Sequence, residues 1–223
     1  ETFNVPLATY KPQNGITGSD DFSSAAIGKQ WQWNHNPVNS MWSLTEREGW
    51  LRLKTSRITD NVFLAPNTIT QRMFGPESEA TVCVDLNGMK DGDVCGMGAF
   101  NGDSGLLSVV QDGKRRTLQL TFESVDLQDP GKRVVGVKKE VIEAVPVKNG
   151  TIWLRVHGDF NLGKDLATFS YSTDGKTFRT IGKPFKMRFD YKRMFMGTKF
   201  ALYCYATKQC GGWADFDNFT IKQ

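Results

Sequence analysis

The chain has 223 residues with a formal charge of +4, and is 39% hydrophobic, 12% aromatic and 23% charged. That apolar content supplies a large core and excludes a disordered chain. The basic runs "GKRR", "GKR" and "VKKE" are interrupted by acids and hydrophobics, which excludes the concentrated basic face that nucleic-acid binding needs. No apolar run approaches the ~20 residues that cross a bilayer and no signal peptide is visible, so neither nucleic acid nor a membrane is an expected partner.

In chain order, residues 1–18 are turn-rich and weakly patterned and read as a linker or N-terminal extension, while residues 19–223 read as one domain. The first distinctive stretch is "QWQWNHNP", residues 30–37. Trp31 and Trp33 lie two apart, so an extended strand turns both rings to one side and Gln30, Gln32 and Asn34 to the other. Alternation alone does not say which side is buried. Strand segments follow at "WSLTER", "GWLRLKT", "NTITQR", "EATVCVDL", "VCGMGAF", "RVVGVKKEVIEAVPV", "KFALYCYAT" and "ADFDNFTI", separated by Gly, Pro, Asn and Asp clusters. Asp112-Gly113 and Asp174-Gly175 mark hairpin turns. In "TIWLRVHGD", Ile152, Leu154 and Val156 share one face and Trp153, Arg155 and His157 the other. The fold class is therefore all-β, a jelly-roll β-sandwich of two antiparallel sheets, and the absence of a fixed repeat disfavours a propeller or solenoid.

Glycoside hydrolysis uses two carboxylates flanking the scissile bond. The spacing E-x-D-x-x-E is absent, and "ESVDLQD" and "ADFDNF" do not place two glutamates on one face. Glu46 and Glu48 share a face but lead into a glycine turn and read as surface strand ends. His35 and His157 are the only histidines, neither in a nucleophile motif, and a lone His35 reads as a surface hydrogen-bonding group rather than a metal ligand. Sugars lay C–H faces on Trp and Tyr rings, and Tyr203 and Tyr205 alternate with Phe200, Leu202 and Cys204, so both tyrosines face away from the presumed core, with Trp213 just beyond. Asp20 and Asp21 near the first strand and Asp215 and Asp217 in the last could pool oxygens for calcium, with Asp21 and Asp215 as the ligands, against ordinary capping of strand ends. The four cysteines fit no zinc spacing. Cys83 with Cys95 and Cys204 with Cys210 are placed either to form disulfides in an exported protein or to stay buried as free thiols.

Four ordered blocks carry a family likeness: "SDDFSSAAIGKQWQWNHNP", "MWSLTEREGWLRLKT", "NTITQRMFGPESEATVCVDLNGMKDGDVCGMGAF" and "ALYCYATKQCGGWADFDNFTI". The chain from Ser19 onward resembles the C-terminal β-sandwich domain of glycoside hydrolase family 43 β-xylosidases and arabinofuranosidases, also classed among carbohydrate-binding modules of family 91. The resemblance implies a concanavalin A-like jelly roll with two partners, xylan-type oligosaccharide or polysaccharide and the catalytic propeller of the same protein. It implies an accessory module without catalytic residues of its own. In some members a loop of this domain closes the propeller's substrate pocket with an aromatic side chain, which singles out Phe74 and the segment Trp33 to His35. Trp31 and Trp33 are then one packed ridge, and Gln30, Gln32, Asn34, His35 and Asn36 the polar surface of an interface or sugar groove. The tail "CYATKQCGG" departs from the family's tails. The alternatives are a catalytic jelly-roll glycanase and a purely structural domain with no sugar affinity. Export to the periplasm or exterior, within a larger bacterial glycosidase, is the expected location, and the cytoplasm the alternative.

Overall fold

The structure is a computed structural model that describes residues 16–129, 133–148, 150–189, 191, 193 and 196–222. Most of the linker expected over residues 1–18 lies outside the described residues. Fifteen strands follow in order: β1 Gln32–Trp33, β2 Trp42–Ser43, β3 Leu51–Lys54, β4 Ile69–Arg72, β5 Glu77–Asp85, β6 Asp93–Phe100, β7 Asp103–Asp112, β8 Arg115–Gln128, β9 Arg133–Pro146, β10 Thr151–Asp159, β11 Leu166–Ser172, β12 Arg179–Thr180, β13 Phe185–Lys186, β14 Lys199–Ala206 and β15 Trp213–Lys222. They form a seven-stranded sheet, β1-β4-β14-β6-β7-β8-β9, and an eight-stranded one, β12-β11-β10-β5-β15-β3-β2 with β13 beside β11. All strand pairings are antiparallel, and the expected two-sheet sandwich is what forms.

Period-two alternation explains the layering. In β10, Ile152, Leu154 and Val156 are buried while Trp153, Arg155 and His157 are half-exposed, as the sequence requires. Gly113 and Gly175, with φ of 56° and 71°, make the two expected hairpin turns. The expected strand "WSLTER" shortens to Trp42–Ser43, because Ser43 bonds the backbone N–H groups of Thr45 and Glu46 and turns the chain.

The main core lies between the sheets and includes Leu51, Leu53, Val82, Val84, Met97, Leu202 and Phe216. A second apolar cluster sits on the outer face of the seven-stranded sheet. There Val94, Phe100, Leu106, Ala201, Tyr203 and Tyr205 are covered by Val62 and Ala65 of the β3–β4 connection. One outer face of the sandwich is therefore closed by the chain itself.

Candidate functional site

The stretch "QWQWNHNP" is a clamp. Asp20 pairs its backbone with Phe219 and accepts hydrogen bonds from the indole Nε1–H of Trp31 at 2.8 Å, from Gln30 at 3.1 Å and from the Phe22 N–H at 2.9 Å. Trp31 is 6% exposed, its ring 4.8 Å from Phe219 and 5.7 Å from Phe22. Trp33, half-buried, packs 5.2 Å from Trp42. Both indoles touch the main core, so they form one ridge. On the polar side, Asn34 Nδ2–H donates to the Phe63 carbonyl at 3.2 Å, and His35 Nε2 lies 2.6 Å from the same oxygen. Asn67 holds both the N–H and the carbonyl of Val38. Asn36 is exposed. These groups fasten the covering segment 57–67 to the sheet rather than open a groove.

Tyr203 and Tyr205 face away from the main core, as expected, but they line no open groove. They are 0% and 4% exposed under the covering segment, with the Tyr203 hydroxyl 2.7 Å from Ser108 Oγ. Gly96 stands here because a Cβ would strike the Leu107 carbonyl and meet the tyrosine hydroxyl. Burial pushes both phenols well above their ordinary range. Beside them the Glu123 carboxylate is buried, accepts from the Val62 N–H at 3.1 Å and sits 3.0 Å from the Lys139 ammonium, which also reaches the Asp60 carbonyl. Burial raises the pKa of Glu123. The covering segment is thus pinned through its middle, at Phe63 by Asn34 and His35 and at Asp60 and Val62 by Lys139 and Glu123.

Trp213 also lies differently from an open sugar platform. The Arg52 guanidinium stands 4.9 Å from the centre of its ring, and the backbone of Gly88 is so close that a Cβ there would overlap the indole. The expected calcium pair is not brought together. Asp215 is buried and gripped by Arg52 at 2.7 and 2.8 Å and by Arg47 at 3.1 Å, so guanidinium occupies both carboxylate oxygens. Asp21 is exposed and bonded to Ser23. Among the described residues no three His, Cys, Asp or Glu side chains converge on a metal site. Glu46 is paired with Lys54 and with Arg52, and the Lys54 hydrogen bond holds its carboxyl below the usual range.

All four cysteines are free, with Cys83, Cys95 and Cys204 buried and Cys210 exposed. Neither pair considered from the sequence is linked. Cys83 stands on β5 of the eight-stranded sheet and Cys95 on β6 of the other, where its strand partner is Cys204.

The exposed aromatic surface is at one end of the sandwich. Phe74, half-buried, lines a cavity of about 340 Å³ with Met73, Met196 and Lys199. Gly197 and Thr198 are shared with a second cavity of about 550 Å³, lined by Phe160, Met187 and Phe189. Leu162, Phe189 and Tyr191 are 104%, 61% and 63% exposed. Sequence reasoning singled out Phe74 and missed Phe189, Tyr191 and Leu162. The run "FKMRFDYKRMF" alternates apolar or aromatic with charged residues from Phe185 to Lys192, and that period-two pattern was the available signal.

Known proteins resemble this chain over its whole described length. A family profile described as the β-xylosidase C-terminal concanavalin A-like domain matches residues 19–222. A β-xylosidase of Formosa agariphila is 31% identical over 243 aligned positions, covering 99% of this chain and 37% of that protein. A bifunctional GH43-CE protein of Bacteroides eggerthii superposes with a TM-score of 0.85 at 36% identity, covering 94% of this chain and 26% of the other. An engineered family 43 glycoside hydrolase with endo-xylanase and exo-arabinofuranosidase activity superposes at 0.89 with 27% identity, over 99% of this chain and 44% of that one. The chain thus spans well under half the length of these relatives. It belongs to the β-xylosidase C-terminal concanavalin A-like domain family, the C-terminal module of family 43 glycosidases whose catalytic domain is separate.

Proposed function

We propose that this chain is the accessory module of an exported bacterial family 43 glycosidase acting on xylan-type glycans, and that it works by docking on the catalytic propeller and completing its substrate pocket. The observation that carries this reading is the contrast between its aromatic groups. Tyr203, Tyr205 and Trp31 are buried, and Trp213 lies between Arg52 and Gly88, whereas Phe189 stands exposed on the cavity of Phe160, contiguous with that of Phe74, and Leu162 and Tyr191, on the connections on either side, are exposed as well. An exposed apolar patch of this kind marks a contact surface. Membership of the family supports the catalytic domain of the same protein as the partner. A catalytic role for this chain finds no support in Glu46 or Asp215, since each is held in ion pairs with arginine.

The test is a Phe189→Ala, Tyr191→Ala double variant in the enzyme that carries this chain. Its melting temperature should stay within about 2 °C of the parent, because exposed side chains contribute little to folding. kcat/KM on xylo-oligosaccharides should fall about tenfold or more, the scale of one lost interface anchor. Unchanged kcat/KM and unchanged association with the propeller would overturn the reading.

A further inference from the structure

Register fixes which side chains share the mouth of the sandwich beyond the aromatic end. Phe122 of β8 is opposite Glu140 of β9, and Ser124 is opposite Lys138. Phe122 packs against the main core and lies 5.0 Å from the Phe185 ring, so its side of the sheet faces inward. Period two puts Lys138 and Glu140 on that same side and turns the Glu123 and Lys139 side chains, paired with each other, toward the outer face, although both residues also border the groove. Between β8–β9 and the segment 184–188 runs a groove of about 520 Å³, whose lining includes Phe122, Lys138, Glu140, Pro184, Phe185 and Arg188. That volume lies within the ~300–1,000 Å³ of small-ligand sites.

The charges around this groove do not cancel. Asp103 is taken by Arg193 at 2.8 Å and by the Ser124 hydroxyl at 2.6 Å. Glu140 faces Lys183 at 3.5 Å, and Lys186 faces Asp165 at 3.7 Å. Lys138 and Arg188 are exposed and enter no close ion pair among the described residues, although the Arg193 hydrogen bond and, from farther away, the Arg188 charge help to hold the Asp103 carboxyl below its ordinary range. An aromatic wall, with the Lys183 ammonium 5.7 Å from the Phe122 ring, and two exposed cations outside any close ion pair are the chemistry that recognises a ring carrying a carboxylate.

We propose that this groove is a subsite for an acidic saccharide, a pyranoside whose ring lies against Phe122 and whose carboxylate is met by Arg188 and Lys138. The guanidinium offers the bidentate fork and the ammonium a second charge. A neutral sugar leaves both cations unanswered, so the site discriminates by charge. This inference rests on the reading of the chain as a glycosidase module; the groove adjoins the Phe189 cavity and shares Lys186 and Arg188 with it, while Phe122, Lys138 and Glu140 belong to the groove alone.

The experiment is calorimetric titration of the 223-residue chain with a xylo-oligosaccharide bearing one glucuronic acid, beside neutral xylotetraose, with backbone amide shifts followed by NMR. The acidic ligand should bind about tenfold tighter than the neutral one at low salt, and should weaken between about 20 and 200 mM NaCl as screening grows. Shift changes should concentrate at residues 122–124, 138–140 and 184–188. The Lys138→Glu, Arg188→Glu double variant should lose acid binding with an unchanged melting temperature, and the neutral Lys138→Gln, Arg188→Gln pair should lose most of it. Equal affinity for both ligands, no binding, indifference to the variants, or shifts centred on Phe189 would each overturn the proposal. If acid binding is absent while the Phe189 and Tyr191 variant still impairs the enzyme, the subsite fails and the module reading stands. The reverse pattern separates them the other way.

Discussion

Replacing Asp20 by alanine tests whether the tryptophan stretch is a structural clamp. One carboxylate accepts three hydrogen bonds, from Trp31 Nε1, Gln30 Nε2 and the Phe22 N–H. Gln30 is half-buried and can turn to water, but Trp31 is 6% exposed and its donor is left without an acceptor. An unsatisfied buried donor costs about 1–3 kcal/mol, and loss of the charged acceptor to the Phe22 N–H adds about 1 kcal/mol. The sum is about 3 kcal/mol, a drop of roughly 6–12 °C in melting temperature for a domain of this size. Asp20→Asn, which keeps an acceptor oxygen, should recover more than half of the loss. Trp31→Phe removes the donor instead, and a double-mutant cycle of Asp20→Ala with Trp31→Phe should show coupling of about 1–2 kcal/mol. Urea unfolding followed by tryptophan fluorescence measures the parent and all of these variants. A loss below about 0.5 kcal/mol for Asp20→Ala, within the range of an ordinary surface change, or strict additivity in the cycle, would refute the clamp.

Three further outcomes follow from buried groups. Tyr203→Phe removes the hydroxyl bonded to Ser108 inside the second cluster and should cost about 1 kcal/mol, read as a melting shift of about 2–4 °C with no change in fold. Asp93, fully buried with one oxygen bonded to the Lys90 N–H, has its pKa raised by burial from 3.8 to about 6. The folded state therefore holds its proton more tightly than the unfolded chain, so this stabilisation is complete below pH 3.8 and is lost as pH rises through about 6. Asp93→Asn should flatten the stability profile between those values in urea titrations, and an unaltered slope would count against the assignment. Native protein should react with Ellman's reagent at Cys210 alone, since the other thiols are buried and burial pushes Cys83 up to about 12, and all four should react in denaturant. Rapid native labelling of a second thiol would contradict the packing around β5, β6 and β14.

What the sequence yields depends on whether one strand or two distant segments decide a residue's surroundings. Strand faces are local: Ile152, Leu154 and Val156 alternate with polar neighbours, and their burial is readable from nine residues. The outward turn of Tyr203 and Tyr205 is readable in the same way. What covers them is not, because Val62 and Ala65 reach that face from about 140 residues upstream, through contacts of Asn34, His35, Glu123 and Lys139. A face that alternation makes accessible was closed by a connection that alternation does not describe. The same failure explains calcium. Asp215 carries the oxygens such an ion wants, but Arg47 and Arg52 arrive from the far side of the chain and take them.

The two unmet expectations point the same way. In a sandwich whose outer tyrosine face is sealed and whose last-strand aspartate is neutralised, the chemistry left exposed is at the open end between the sheets, in the connections after β10 and β13 and along the β8–β9 rim. Outside β8 and β9 these are short turns and connections, where period two, present from Phe185 onward, does not say which residues stay exposed. Function placed there is carried by loops that the rigid strands position. Phe189 and Arg188, adjacent in sequence, sit where the two cavities meet, with Arg188 lining both. Alternation of Phe185 and Met187 into the core turns Arg188 outward, whereas Phe189, next in the inward phase, stands exposed where the segment leaves the sandwich. A substitution that inverted this segment's register, such as deletion of Pro184, should impair both propeller docking and acid binding. The single-site variants should separate them.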